Sequence, residues 1–187
     1  MPPARPEDEP EPYTTQDVSK IIAACDQFGR GPYERLRARA MVLVLRYTGL
    51  RVSDLATLAK SRVRDGMILL RTQKTGGLVF LPVPIELQAA LAQLPPPREA
   101  SPDCPFFSWN GRTSTRAVVG IAERTLAAVF KKCKVPGAHA HRFRHTLATD
   151  ILTQGGTIQD VADVLGIRSE VARNPSSGVI RSGLEGA

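Results

Sequence analysis

Apolar residues recur at helical spacing through most of this 187-residue chain, and this periodicity restricts the fold class more than any other feature. In the clearest stretch, after the Gly-Pro break at residues 29–32, one helical face would carry Leu36, Ala40, Leu43 and Tyr47. The chain is therefore predicted to be mainly α-helical. The same spacing predicts further helices near residues 14–25, 53–58, 84–94, 113–132, 141–154 and 158–165.

Only one part of the chain has the composition of β-strands. Residues 67–71 and 78–81 are short apolar runs, and the glycine pair at 76–77 between them favours a tight turn. A chain of 187 residues fits one domain with a substantial core. The sequence therefore predicts a mainly α fold with a small antiparallel β-sheet, in the α+β class.

The two ends of the chain differ in composition from the part between them. Residues 1–13 hold five prolines, and four acids against Arg5 give them a charge of −3, so we expect a flexible acidic leader there. Residues 168–187 contain no aromatic residue and are interrupted by proline and glycine, which is typical of a disordered tail. The folded domain is therefore predicted over residues 14–167.

The charge of the folded part indicates a polyanionic partner. The chain has a net charge of +7 and residues 1–13 contribute −3, so the remainder carries +10. This excess favours nucleic acid, although many basic proteins bind none. The longest apolar run, residues 40–45, is too short to span a membrane, and residues 1–13 lack a hydrophobic signal region. A cytoplasmic protein is expected.

The segment TGLRVSDL at residues 48–55 places an arginine at a break between two predicted helices. Asp54 follows Arg51 by three residues, so at a helix start its carboxylate can hold the guanidinium in place. A guanidinium fixed in this way can grip two phosphate oxygens. An ordinary surface ion pair is the alternative interpretation.

All three histidines of the chain lie in the segment HAHRFRH at residues 139–145. His141 and Arg144 are three residues apart near a predicted helix start, where free backbone N–H groups also favour an anion. Together they suit phosphodiester chemistry, in which charge develops on non-bridging oxygens and a proton must move. His141 and His145 have the spacing of zinc ligands, but the flanking arginines and the lack of a glutamate at position 142 disfavour zinc. A basic helix that touches phosphates without chemistry remains the alternative.

A third candidate is Lys74, in the segment RTQKTGG at residues 71–77 that includes the predicted turn. A lysine on a mobile turn can reach into a cleft and protonate a leaving oxygen. By itself, a single lysine on a turn is more often only solvated.

In this order, the three segments resemble the catalytic domain of the tyrosine recombinase (phage integrase) family. The resemblance rests on TGLRVSDL, then the hairpin KTG, then HRFRHTLAT at residues 141–149 and a helix that ends with VADVLG at residues 161–166. It extends from about Tyr13 to Gly166, which is most of the chain. It implies the fold of the DNA breaking-rejoining enzymes and a function in site-specific DNA recombination or integration.

The resemblance also implies a role for each candidate residue. Arg51 and Arg144 would neutralise the non-bridging oxygens of a scissile phosphate. His141 would assist proton transfer, and Lys74 would protonate the 5′-hydroxyl leaving group.

Two further residues, Asp54 and His145, would support this site. The resemblance implies no metal and no nucleotide cofactor. The implied partners are double-stranded DNA and other recombinase protomers in a synaptic tetramer, with no membrane.

The chain departs from the family pattern after Gly166. The family usually continues LGH or LGW and places the nucleophilic tyrosine about nine residues later. Here Ile167 follows Gly166, and position 176 is a serine. Pro175 and Gly178 argue against a helix that presents Ser176 as a nucleophile. The only tyrosines precede Arg51: Tyr13, Tyr33 and Tyr47.

The sequence therefore predicts no tyrosine nucleophile within this chain, and three interpretations follow. The first is a recombinase whose tyrosine comes from another chain, as in some family members. The second is a non-catalytic, DNA-binding remnant of an integrase, left by a frameshift or truncation after residue 169. A protein like the type IB topoisomerases, which share this chemistry, is a third interpretation.

Overall fold

Helices dominate the chain, and most of them pack around one long helix. The computed structural model describes residues 11–95, 103–107 and 114–167. Its helices are α1 (Thr15–Asp26), α2 (Pro32–Thr48), α3 (Val52–Ala56), α4 (Ile85–Ala92), α5 (Thr115–Lys132), α6 (Ala140–Thr153) and α7 (Ile158–Val164). A three-stranded antiparallel sheet comprises β1 (Val63–Arg64), β2 (Met67–Arg71) and β3 (Leu78–Pro82). The predicted fold class, mainly α with a small antiparallel sheet, is confirmed.

The central helix is α2, which packs against α1, α3, α4, α5 and α6. Residues 40–45 are all buried, so α2 is enclosed on every side there. The prediction of a single buried face was wrong in extent, because neighbours surround the helix. Tyr47, which the periodicity placed in the core, is only half-buried, and its hydroxyl donates a hydrogen bond to Glu86 Oε2 at 2.6 Å.

Local sequence signals fix the helix ends near the candidate site. Thr14 begins α1 through a capping box with Asp17, and Thr157 begins α7 in the same way. Helix α2 ends at Gly49, whose φ of 58° is a left-handed conformation that glycine adopts without strain. The sharp corner between α2 and α3 places Arg51 immediately before α3.

The sheet is built around the predicted hairpin. Strands β2 and β3 pair from Met67 opposite Pro82 to Arg71 opposite Leu78. Strand β1 was not predicted, because two residues are too few to show alternation. One face of the sheet packs into the core, and the turn at residues 72–77 projects beyond the strands. The inward-facing residues are Ile68, Leu70, Val79 and Leu81.

Parts of the predicted leader and tail lie outside the described residues. These parts are residues 1–10 of the leader and the whole segment 168–187. Tyr13, the last residue of the predicted leader, is buried and stacks on Phe143 with ring centroids 4.6 Å apart. Its backbone N–H donates to Thr146 Oγ1 at 2.8 Å. Tyr13 therefore belongs to the folded domain, because its aromatic ring packs on α6.

Other classes of site have few candidates in the described part of the chain. No group of three or more His, Cys, Asp or Glu residues there is placed to hold a metal ion. The three cysteines are buried free thiols. Within residues 11–95, 103–107 and 114–167, no helix combines the length and apolar character that a membrane span requires.

Candidate functional site

Arg51 lies at the corner between α2 and α3, where the chain is tightly packed. A side chain at Gly49 would come within 2.6 Å of Leu165 Cδ2 and 3.1 Å of Leu147 Cδ2, so only glycine fits there. Arg51 is half-buried, and its Nη1 has no hydrogen-bond partner among the described residues although that atom is shielded from solvent. A buried charged nitrogen without a partner is costly unless a ligand completes it.

Arg144 is buried behind this corner, with 6% of its surface exposed. Its Nη1 donates to the backbone oxygen of Gly49 at 2.9 Å, and its Nη2 donates to the backbone oxygen of Leu165 at 2.9 Å. These bonds fix the guanidinium between the end of α2 and the end of α7. Each of the two nitrogens carries a second N–H that these bonds do not use.

The two arginines lie close enough to repel one another. The pKa of Arg144 is lowered to about 10, chiefly by burial and then by the charge of Arg51, while the carboxylate of Asp54 opposes this shift. Two neighbouring guanidinium groups with the single carboxylate of Asp54 beside them leave a net positive potential. The arrangement therefore favours an anion that both can contact.

His141 lies on the first turn of α6, one turn before Arg144, and it is exposed. Desolvation lowers the pKa of His141 below its usual value near 6.5, and the charges of Arg144, His139, Arg51 and His145 lower it further. The ring is therefore neutral at pH 7. A neutral imidazole can accept a proton and return it once protonated, which a fixed cation cannot do.

Asp54 is buried, and its partner differs from the one that the sequence indicated. Its Oδ1 accepts a hydrogen bond from the backbone N–H of Gln73 at 2.8 Å, whereas Oδ2 has no hydrogen-bond partner in the described part of the chain. No ion pair joins Asp54 to Arg51 among the described residues. Asp54 therefore holds the turn that carries Lys74, and it acts on Arg144 through its charge.

Lys74 itself is exposed on that turn, and no ion pair joins it to the described residues. The neighbouring Gln73 is bonded to Asp54, and Thr75 Oγ1 donates to the backbone oxygen of Gly166 at 2.8 Å. The sequence predicted a mobile turn, but in this structure both flanks of Lys74 are anchored. His145, half-buried on the next turn of α6, contributes to the electrostatic environment of His141.

The structure thus brings Arg51, Arg144 and His141 into one electrostatic environment, although Arg51 and His141 are 90 positions apart in the sequence. The neighbours of Lys74 anchor its turn to Asp54 and to Gly166, which adjoins the Leu165 carbonyl that Arg144 bonds. The residues that sequence reasoning missed are the backbone acceptors of Arg144 and the hydroxyl of Thr75. Backbone carbonyls carry no sequence signal, and a threonine beside glycines is common in turns.

Comparison with known proteins agrees with the fold. The model of the phage integrase family matches residues 13–171. Tyrosine recombinase XerC of Mesorhizobium japonicum is 27% identical over 169 residues, covering 88% of this chain and 54% of the relative. Tyrosine recombinase XerA of Pyrococcus furiosus is 27% identical over 169 residues, covering 88% of this chain and 56% of the relative. The chain spans about half the length of these relatives.

Solved structures give the same result. The crystal structure of XerA recombinase superposes with a TM-score of 0.66 at 27% identity, covering 92% of this chain and 60% of that chain. The catalytic core of lambda integrase superposes with a TM-score of 0.57 at 20% identity, covering 84% of this chain and 91% of that chain. At this identity the match shows the fold alone. This chain belongs to the phage integrase family and has the fold of a tyrosine recombinase catalytic domain.

Proposed function

We propose that this domain binds double-stranded DNA and holds a scissile phosphate with Arg51, Lys74, His141 and Arg144, as part of site-specific recombination or integration. The observation that carries the proposal is the pair of neighbouring arginines beside a neutral histidine, with Arg51 Nη1 buried and without a partner among the described residues. A phosphodiester is an anion whose oxygens guanidinium groups bind with paired hydrogen bonds.

Each group has a distinct chemical role in this proposal. Arg51 Nη1 and the unused N–H groups of Arg144 would donate to the non-bridging oxygens, which gain charge in the transition state. The neutral His141 would accept a proton at the phosphate and could return it once protonated. Lys74 would protonate the leaving 5′-oxygen, because an exposed ammonium on an anchored turn can reach outward toward DNA.

Structures of relatives support DNA and further protomers as partners. XerH recombinase has been solved bound to its difH substrate, with a TM-score of 0.65 at 17% identity over 88% of this chain. Lambda integrase has been solved as a tetramer bound to a Holliday junction, with a TM-score of 0.55 at 22% identity over 89% of this chain. By analogy, this chain would act on duplex DNA within an assembly of several protomers.

We also propose that this chain contains no tyrosine nucleophile of its own. No tyrosine follows Arg51 in the sequence. Tyr13 is buried against Phe143, and burial raises the pKa of its hydroxyl to about 12, so it is a poor nucleophile. The hydroxyl of Tyr47 is engaged with Glu86.

Two functions are compatible with a phosphate site in a chain that has no tyrosine nucleophile. The domain is either a recombinase that receives its tyrosine from another chain, or a DNA-binding remnant that grips a phosphate without cleaving it. The coding sequence downstream of codon 169 separates the two. An alternative frame that encodes a helix with a tyrosine would identify a broken recombinase gene.

We expect weak, strongly salt-dependent binding to duplex DNA, because phosphate contacts dominate such interfaces. Fluorescence anisotropy with labelled DNA at about 50 and about 200 mM salt would measure it. Arg51→Gln should weaken binding about tenfold or more and reduce the salt slope by about 1. The matched control is Arg39→Gln, because Arg39 lies 3.6 Å from Asp26 and 3.8 Å from Glu86 rather than in the cluster. Equal losses in both variants would contradict the site.

We expect His141 to titrate below the usual pKa of about 6.5 in the free protein and to gain affinity for its proton when DNA binds. Since the folded pKa is depressed, protonation below about pH 6.5 also weakens the folded state relative to the unfolded chain. NMR titration of the three histidine rings, with His141→Gln for assignment, measures the pKa of His141 in the free protein and in the DNA complex. A free-protein pKa above the usual value, or no change with DNA, would refute this expectation.

A further inference from the structure

The turn that carries Lys74 is docked onto the end of α7. Thr75 Oγ1 donates to the backbone oxygen of Gly166 at 2.8 Å, across 91 positions of sequence. A Cβ atom at Gly77 would overlap that same oxygen, and a Cβ atom at Gly166 would lie 2.7 Å from Val79 Cγ2. Glycine on both sides is therefore what permits the approach.

The same end of α7 also holds Arg144. The backbone oxygen of Leu165 accepts from Arg144 Nη2 at 2.9 Å, and the next carbonyl, that of Gly166, accepts from Thr75. Two successive carbonyls belong to one short piece of backbone whose bond lengths and peptide planes are fixed. The Lys74 turn and the guanidinium of Arg144 are therefore anchored to adjacent carbonyls of the same backbone segment.

The bond from Thr75 is not needed to close the turn itself. The N–H of Thr72 donates to the oxygen of Gly77 at 2.9 Å, and the N–H of Gly76 donates to the oxygen of Thr72 at 2.9 Å. Arg71 Nη1 also donates to the oxygen of Gly76 at 3.0 Å. The hydroxyl of Thr75 also bonds Thr72 Oγ1 at 2.6 Å and accepts from the N–H of Gly77 at 3.4 Å within the turn. Of its three bonds, only the one to the end of α7 fixes where the turn sits on the domain.

On the opposite flank, Gln73 ties the turn to α3. Its backbone N–H donates to Asp54 Oδ1 at 2.8 Å, and its Nε2 donates to Thr57 Oγ1 at 2.6 Å. Lys74 thus stands between two anchored neighbours with an exposed side chain. Ordering the backbone before DNA arrives lowers the entropic cost of placing the ammonium on a phosphate.

We propose that Thr75 is a positioning residue, whose hydrogen bond to Gly166 fixes the Lys74 turn relative to Arg144 so that both cations reach the same DNA phosphate. This inference rests on the proposed function. It assigns to Thr75 an effect on DNA that acts through Lys74 and through no other group.

The test is a double-mutant cycle measured by DNA-binding anisotropy. Thr75→Val keeps the shape of the side chain and removes its hydroxyl, and it should weaken binding about threefold to tenfold. Thr75→Ser keeps the hydroxyl and should retain the affinity of the unmodified protein. In a Lys74→Ala background, Thr75→Val should cause no further loss, because the group that it positions is gone.

Amide hydrogen exchange of residues 73–77 provides a second readout that needs no DNA. Exchange should be faster in Thr75→Val and unchanged in Thr75→Ser, since only the first loses the hydroxyl that bonds the end of α7 and the rest of the turn. Unchanged exchange in Thr75→Val would overturn the inference. A loss of affinity in Thr75→Ser equal to that in Thr75→Val would also overturn it.

The cycle separates failure of the inference from failure of the proposed function. If Lys74→Ala weakens binding but Thr75→Val costs as much in that background as in the unmodified protein, the inference fails and the proposed function stands. If Lys74→Ala leaves binding unchanged, the assignment of Lys74 to the phosphate fails, and the inference fails with it.

Discussion

Replacing Arg144 with alanine is expected to lower the free energy of unfolding by about 2–4 kcal/mol, and to abolish measurable DNA binding at moderate salt. The reason is that Arg144 has two functions in the structure. Its guanidinium satisfies the backbone carbonyls of Gly49 and Leu165, and its remaining N–H groups would donate to the proposed phosphate. Urea denaturation, with binding measured below the unfolding transition, gives both effects.

The conservative variant Arg144→Lys separates these two functions. Lysine keeps the positive charge, but its compact ammonium does not reproduce the planar fork that spans both carbonyls. We expect Arg144→Lys to lose about half as much stability as Arg144→Ala and to keep part of the DNA affinity. A stability of Arg144→Ala within about 0.5 kcal/mol of the unmodified protein would contradict the bridging role of the guanidinium.

Replacing Phe143 with alanine is expected to lower the free energy of unfolding by about 3–5 kcal/mol, the largest effect on stability that we anticipate. Phe143 is fully buried on α6, between His141 and Arg144 in the sequence. Its ring centroid lies 4.6 Å from that of Tyr13 and 6.3 Å from that of Phe130. Alanine would leave a cavity where these rings meet.

Phe143→Leu is the matched control, because it keeps most of the apolar volume. We expect it to cost less than about 1.5 kcal/mol. Because Tyr13 packs on Phe143, the larger deletion should also speed amide exchange at Tyr13 and His139. The N–H of Tyr13 donates to Thr146 Oγ1, and the N–H of His139 donates to the Tyr13 hydroxyl. Equal destabilisation by alanine and leucine would show that ring packing does not hold α6 in place.

Some features of the candidate site could be predicted from short stretches of sequence, whereas others depend on contacts between distant parts of the chain. The four candidates Arg51, Lys74, His141 and Arg144 were identified from short segments, because each segment combines a charged residue with a helix start or a turn. The hydrogen-bond partner of Asp54 was not identified in this way. A carboxylate three residues after an arginine on a helix start favours a local pair, but the tertiary fold brings the backbone of Gln73 to Asp54 first.

The sequence by itself determined the fold class and most of the helix ends, and it supplied the candidate residues of the proposed site. Helical periodicity, capping residues such as Thr14 and Thr157, and the glycine that ends α2 act within a few positions, so they can be read directly.

Only the tertiary structure decided which groups meet. It enclosed α2 on every side, buried Tyr13 against α6, and placed the end of α7 between Arg144 and the Lys74 turn. These contacts depend on the path of the whole chain, and several are made by backbone carbonyls that every residue possesses. The hydrogen-bonding capacity of a carbonyl is the same at each position, and so the sequence carries no mark of the two that position this site.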